Sequence, residues 1–179
     1  MLPQWIETLT SLHTLDLTGC CELTVLPESM RVLMNVKTLN LTRCTALTLL
    51  PVLLTITLTG LTALNLQNCV SLTALLESLG AMTGLTMLDL GGCESLTALP
   101  ASFGALTGMM TLNLENCMQL TLLPESLGEL TGLTTLDLQN CDALMALDAT
   151  ISYSRKIAGK MAKMHFLRVA SVAKRKCDL

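Results

Sequence analysis

The residues best equipped for chemistry are the eight cysteines, since a thiolate can attack a substrate, hold a soft metal or close a disulfide. Six of them, Cys20, Cys44, Cys69, Cys93, Cys117 and Cys141, recur at steps of 24 residues with one step of 25. Equivalent positions in stacked units point their side chains the same way, which is poor disulfide geometry. A metal ladder is the rival reading, but the repeat supplies no partnering His and no Cys-x-x-Cys pair. The spacing therefore favours a column of buried, reduced thiols that pack and donate weak S–H hydrogen bonds to turn carbonyls. Cys21 and Cys177 fall outside the column and are the more reactive pair. Reduced cysteines fit an intracellular site.

Acid-base chemistry has less support. His13 and His165 do not recur with a Cys, Ser or carboxylate at a spacing that suggests a triad. Glu28, Glu77 and Glu125 recur because the unit recurs, which is repetition and not a catalytic pair. No enzyme and no cofactor is expected.

A second periodic set is polar. Asp16, Asn40, Asn65, Asp89, Asn113 and Asp137 each stand between two Leu residues, with Thr18, Thr42, Gln67, Gly91, Glu115 and Gln139 two positions on. Side chains alternate along a strand, so each Asp or Asn points away from the core that its flanking Leu residues enter. Adjacent strands lie about 4.8 Å apart, and such positions would line up as polar rows. One reading is a solvated ladder of mutually bonded Asn and Thr. The other is a shallow acidic surface for a basic protein partner, carried by Asp16, Asn40, Arg43, Asn65, Asp89, Asn113, Glu115, Asp137 and Gln139. Cation binding by Asp89, Glu115 and Asp137 is a third, without the ligand spacing of a dedicated calcium loop. Against a tight interface stands the lack of Trp, Tyr and almost all Arg among these positions.

The elements that must position these residues follow from the unit itself, which reads Leu-x-x-Leu-x-Leu-x-x-Cys-x-x-Leu-x-x-Leu-Pro and runs in phase through six copies. It resembles the leucine-rich repeat family. The variant with Cys at the turn, followed by Leu-Pro-Glu-Ser-Leu-Gly, is most similar to the repeats of plant disease-resistance receptors of the nucleotide-binding type and related intracellular proteins. The resemblance covers residues 2–148 and implies an α/β solenoid, curved, with one short parallel strand per repeat. The phosphate-binding pattern Gly-x-x-x-x-Gly-Lys-Ser/Thr of those receptors occurs nowhere in the chain.

Physical reasoning reaches the same architecture. Leu15 and Leu17 point inward together in the first unit, as do their equivalents in every other, and one unit alone cannot bury that face. Each buried Leu contributes roughly 1.5–3 kcal/mol before chain entropy is subtracted, so stability should rise with the number of units. Pro27, Pro51, Pro100 and Pro124 turn the chain after each strand, and a 3-10 or irregular return is expected on the convex side. Leu76 and Asp148 replace Pro, which suggests looser units. A partial unit over 1–12 is followed by six units starting near 12, 36, 61, 85, 109 and 133.

Composition agrees. Leu supplies 43 residues and Thr 24 of the 179, and a 51% hydrophobic content excludes disorder. Residues 1–150 carry three basic residues against thirteen acidic, a net −10, whereas 151–179 carry eight basic against Asp178, a net +7. No base lies between Arg43 and Arg155, so the solenoid is a poor nucleic-acid surface. The stretch Met1 to Leu9 lacks the pattern of a secretory signal, and a cytoplasmic or nuclear location is expected.

Residues 46–64 are uncharged, but Pro51, Gly60 and the phase of the Leu residues argue against a membrane span. There Val52, Leu53 and Ile56 replace polar convex positions, giving either a rearranged buried loop or an exposed apolar patch. After Asp148 the Leu period stops, and Ile157, Met161, Met164 and Phe166 to Val172 read as a basic C-terminal helix. That segment, 151–179, is a cap on the last repeat, a targeting tail, or an intramolecular partner of the acidic solenoid. At the other end Leu2, Trp5 and Ile6 have no preceding repeat to cover them, an edge through which the chain could form a homo-oligomer. The function expected is that of a non-catalytic protein-interaction module, the sensing part of an immune-type receptor. A self-associating structural solenoid or a tail-directed adaptor is the alternative.

Overall fold

The computed structural model describes residues 6, 8–52, 57–144 and 166–169, with the backbone alone at 28 and 166–169. Among these residues seven parallel strands form one sheet in strict chain order: β1 (Thr14–Asp16), β2 (Thr38–Asn40), β3 (Ala63–Asn65), β4 (Met87–Asp89), β5 (Thr111–Asn113), β6 (Thr135–Leu138) and β7 (Phe166–Val169). Sequential parallel neighbours require a crossover after each strand, and the second half of every unit provides it. Leu15, Leu39, Leu64, Leu88, Leu112 and Leu136 share one register across β1 to β6. Their side chains form one continuous core with Leu41, Leu66, Leu90 and Leu114 and with the Cys column. Leu15 and Leu17 at the first edge keep 9% and 8% of their surface, whereas the equivalents from β2 onward keep none. Stacking on both sides, and not the Leu residue itself, completes burial.

Among the described residues four returns are 3-10 turns: Glu28–Val32, Glu77–Ala81, Ala101–Ala105 and Glu125–Glu129. They approach one another closely. A Cβ on Gly80 would lie 2.7 Å from Ser102 Cβ, and one on Gly104 would lie 2.6 Å from the Ser126 carbonyl oxygen, so Gly at these two positions is a packing requirement.

The looser unit expected at Leu76 is not found. Leu76 takes φ −77° and ψ 152°, next to −72° and 150° for Pro27 and −67° and 153° for Pro100, and the turn after it has the same five residues. The extended conformation is open to any residue, and proline only pre-sets it. Asp148 lies outside the described residues.

Two expectations about the ends change. Phe166–Val169 is a strand and not part of a helix, paired in parallel with β6 so that Leu167 and Val169 fall at the registers of Leu136 and Leu138. A short apolar run fits a period of two as well as one of 3.6, and the open edge of β6 decides between them. The rest of 151–179 lies outside the described residues. At the other end Ile6 is buried to 3% within the core cluster, with Leu9 and Leu12 packed beside it, and so is not an uncovered edge residue. Leu2 and Trp5 lie outside the described residues.

Candidate functional site

The Asp/Asn column turns out to serve the backbone first. In all six units its Oδ1 accepts the N–H two residues on: Thr18 to Asp16 at 2.9 Å, Thr42 to Asn40 at 3.0 Å, Gln67 to Asn65 at 2.9 Å, Gly91 to Asp89 at 2.9 Å, Glu115 to Asn113 at 2.9 Å and Gln139 to Asp137 at 3.0 Å. Asp and Asn share the short reach that this local turn needs, which explains why only those two types occur there. Two residues beyond the column's Leu the chain enters the left-handed region, at Gly19, Arg43, Asn68, Gly92, Asn116 and Asn140. Gly and Asn tolerate that region, and Arg43 is the one departure. Arg43 thus sits exposed in the turn beyond β2 rather than in the strand row.

What the column leaves for a ligand is its second polar atom. Asn113 Nδ2 donates to Asp89 Oδ1 at 2.9 Å, so that one oxygen serves two units. Asp89 Oδ2 and the Glu115 carboxylate take no hydrogen bond among the described residues. Beside them Gly91 adds no side chain to the row formed by Gln67, Glu115 and Gln139, and the Asn113 amide packs over it, since a Cβ there would lie 2.8 Å from Asn113 Nδ2. Met87 stands at the other side of Asp89, 38% exposed. The middle of the strand face therefore presents two carboxylates and one flexible apolar side chain. Asp16, at the first edge, is held below the usual carboxylate range, chiefly by the Thr18 hydroxyl at 2.6 Å and then by the Thr18 N–H. Asp137, at the other end, is buried at 9% exposure.

The thiol column lies behind this face. Cys44, Cys69, Cys93, Cys117 and Cys141 are buried and reduced, and each donates from Sγ to a carbonyl of the preceding unit: Leu17 at 3.3 Å, Leu41 at 3.2 Å, Leu66 at 3.3 Å, Leu90 at 3.3 Å and Leu114 at 3.1 Å. Burial pushes the Cys69 and Cys117 thiols up to about 12 and Cys141 to about 11, and it raises Cys44 and Cys93 in the same direction. Thiols so hard to ionise are poor nucleophiles. Cys20 is half-buried and Cys21 exposed. Among the described residues no group of three His, Cys, Asp or Glu side chains is placed to hold a metal.

On the convex side, Glu77 accepts the N–H groups of Ala101 at 2.9 Å and Ser102 at 2.8 Å, capping the next unit's 3-10 turn. Those two bonds hold its carboxyl below the usual range. Val52 is 53% exposed, while Leu53 and Ile56 lie outside the described residues. A second apolar set is not among the sequence expectations: Val25, Leu49 and Leu122, each exposed one position before a Leu-Pro pair, with Met118 also exposed. Their recurrence at that position was its signal. No described helix is long and apolar enough to cross a membrane.

No protein-family model matches the chain, and no curated protein matches it. Solved structures do. An internalin (inlF) from Listeria monocytogenes superposes with a TM-score of 0.53 at 21% identity, covering 94% of this chain and 51% of the internalin. The leucine-rich repeat domain of the type III effector XopL gives a TM-score of 0.46 at 24% identity, over 94% of this chain and 72% of that one. The leucine-rich repeat ectodomain of the plant membrane receptor kinase GASSHO1/SCHENGEN3 from Arabidopsis thaliana, in complex with Casparian strip integrity factor 2, gives 0.47 at 21%, over 77% and 19%. The chain thus spans about half the length of the internalin, and the likeness to it is one of fold.

Proposed function

We propose that this chain, whose fold is that of an α/β leucine-rich-repeat solenoid, is a non-catalytic protein-interaction module that binds an extended basic segment of a partner along its strand face. The observation that carries this reading is the pair of carboxylates at Asp89 and Glu115, in the middle of the strand face. There Asp89 Oδ2 and the Glu115 carboxylate are unengaged among the described residues, and Met87 offers apolar surface to the stem of a Lys or Arg side chain. No base between Arg43 and Arg155 competes for these carboxylates within the repeats. Complementary charge of this kind acts mainly through the rate of encounter and through specificity. Within that class, the turn Cys and the Leu-Pro-Glu-Ser-Leu-Gly segment support a sensing role like that of intracellular immune-type receptors, at a cytoplasmic or nuclear location.

The test neutralises charge without disturbing the turn. Asp89→Asn keeps the Oδ1 that accepts the Gly91 N–H, and Glu115→Gln keeps the side-chain length. A decapeptide of alternating Lys and Thr should bind the full chain with an affinity that falls as salt rises. The double variant should bind it roughly tenfold more weakly, a loss of about 1.4 kcal/mol. Equal binding by both proteins would refute the strand-face site.

A further inference from the structure

The sheet acquires its last strand from the part of the chain that is oppositely charged. β7 belongs to the segment 151–179, net +7, and it pairs with β6, the last strand of a region that is net −10. Register sets Arg168 against Asp137. Asp137 is the one buried charged or polar side chain among the described residues, at 9% exposure, whereas Asp89 in mid-solenoid is half-buried and Asp16 at the far edge is exposed. The two edges of the sheet also differ. Leu136 and Leu138 beside β7 are fully buried, while Leu15 and Leu17 on β1 are not.

We propose that β7 is an intramolecular pseudo-ligand: the basic tail adds itself as a strand to β6 and masks the C-terminal end of the acidic strand face, so that a basic partner binds in full only when β7 is displaced. The inference rests on the reading of that face as a site for a basic segment. Its chemistry is strand addition, in which main-chain hydrogen bonds supply attachment and side chains at alternate positions supply selectivity. In β7 the alternate positions are Leu167 and Val169, at the registers of Leu136 and Leu138, with Arg168 between them at the register of Asp137. The sequence continues to Lys174, Arg175 and Lys176, so the tail carries the same kind of charge that the face would select in a partner. A ligand competing with such an occupant binds with an affinity reduced by the fraction of chains in which the site is open.

The experiment uses the full chain in three forms: natural, Leu167→Pro, and Arg168→Glu. Leu167→Pro removes a strand N–H, and Arg168→Glu reverses the charge at the register of Asp137. The probe is a labelled synthetic peptide copying residues 163–179 with Cys177→Ser, titrated by fluorescence anisotropy, with hydrogen exchange followed at the β6 amides. Both variants should bind the peptide about tenfold more tightly than the natural chain, and β6 amides should exchange faster in Leu167→Pro. Equal affinity in all three forms would overturn the masking and leave the strand-face site standing. Absence of binding in every form, to this peptide and to the Lys-Thr decapeptide alike, would overturn both. Should Leu167→Pro fail to fold, the comparison of Arg168→Glu with the natural chain decides.

Discussion

Asn113 Nδ2 donates a 2.9 Å hydrogen bond to Asp89 Oδ1, the same oxygen that accepts the Gly91 N–H. This side-chain link joins β4 to β5 and needs an amide on one strand facing a carboxylate on the other. Asn113→Asp keeps the Oδ1 acceptor for the Glu115 N–H but removes the donor and sets like charges on neighbouring strands. The variant should lose about 1 kcal/mol in urea unfolding at low salt, and a good part of that loss should return at high salt, where surface repulsion is screened.

Arg43 holds φ at 60° where the other five units have Gly or Asn. Arg43→Asn supplies the residue found at Asn68, Asn116 and Asn140 and relieves left-handed strain of about 1 kcal/mol. Urea titration should show a higher midpoint with an unchanged slope. A lower midpoint would mean that the Arg43 side chain makes a stabilising contact that outweighs the strain.

Proline is equally transferable. Leu76 already has φ −77°, so Leu76→Pro should raise stability by about 0.5 kcal/mol by restricting the unfolded chain. Differential scanning calorimetry would register it as a small rise in Tm.

Much of this architecture was legible in the residues. The Leu-x-Leu alternation and the 24-residue step place the strands, the inward Leu rows and the Cys column, because period and burial follow from repetition alone. The local work of Asp16 and its equivalents was not legible. Any residue between two inward Leu residues points outward, and whether its oxygen turns back to a backbone N–H depends on the turn that follows. β7 was misread as helix because Phe166–Val169 is too short for periodicity to choose, and the deciding factor, the edge of β6, lies 28 residues away in sequence. That the Asn113 amide reaches across to Asp89 and packs over Gly91 depends on side-chain geometry that the repeat does not specify.

Thiol reactivity should divide the cysteines. In a Cys177→Ser background, Cys20 and Cys21 should react with an aromatic disulfide reagent in the native state, while Cys44, Cys69, Cys93, Cys117 and Cys141 should react only on unfolding. The same five carry a pH dependence. All five are raised above their unfolded values, so the stability they contribute is complete below about pH 8.5 and is lost progressively as pH rises, towards about 11 for Cys141 and about 12 for Cys69 and Cys117. Urea midpoints measured from pH 7 to pH 10 should therefore fall above pH 8.5. A flat profile would contradict thiol burial as the cause.

The strand face as recognition surface is tested most directly by recording amide chemical shifts of the isotope-labelled full chain during titration with the Lys-Thr decapeptide. Shifts should concentrate at residues 63–65, 87–91 and 111–115, spare the convex turns at 77–81, 101–105 and 125–129, and shrink in the Asp89→Asn, Glu115→Gln protein. Shifts centred on the convex turns, or on the exposed row of Val25, Leu49 and Leu122, would contradict the account and move the site to another face.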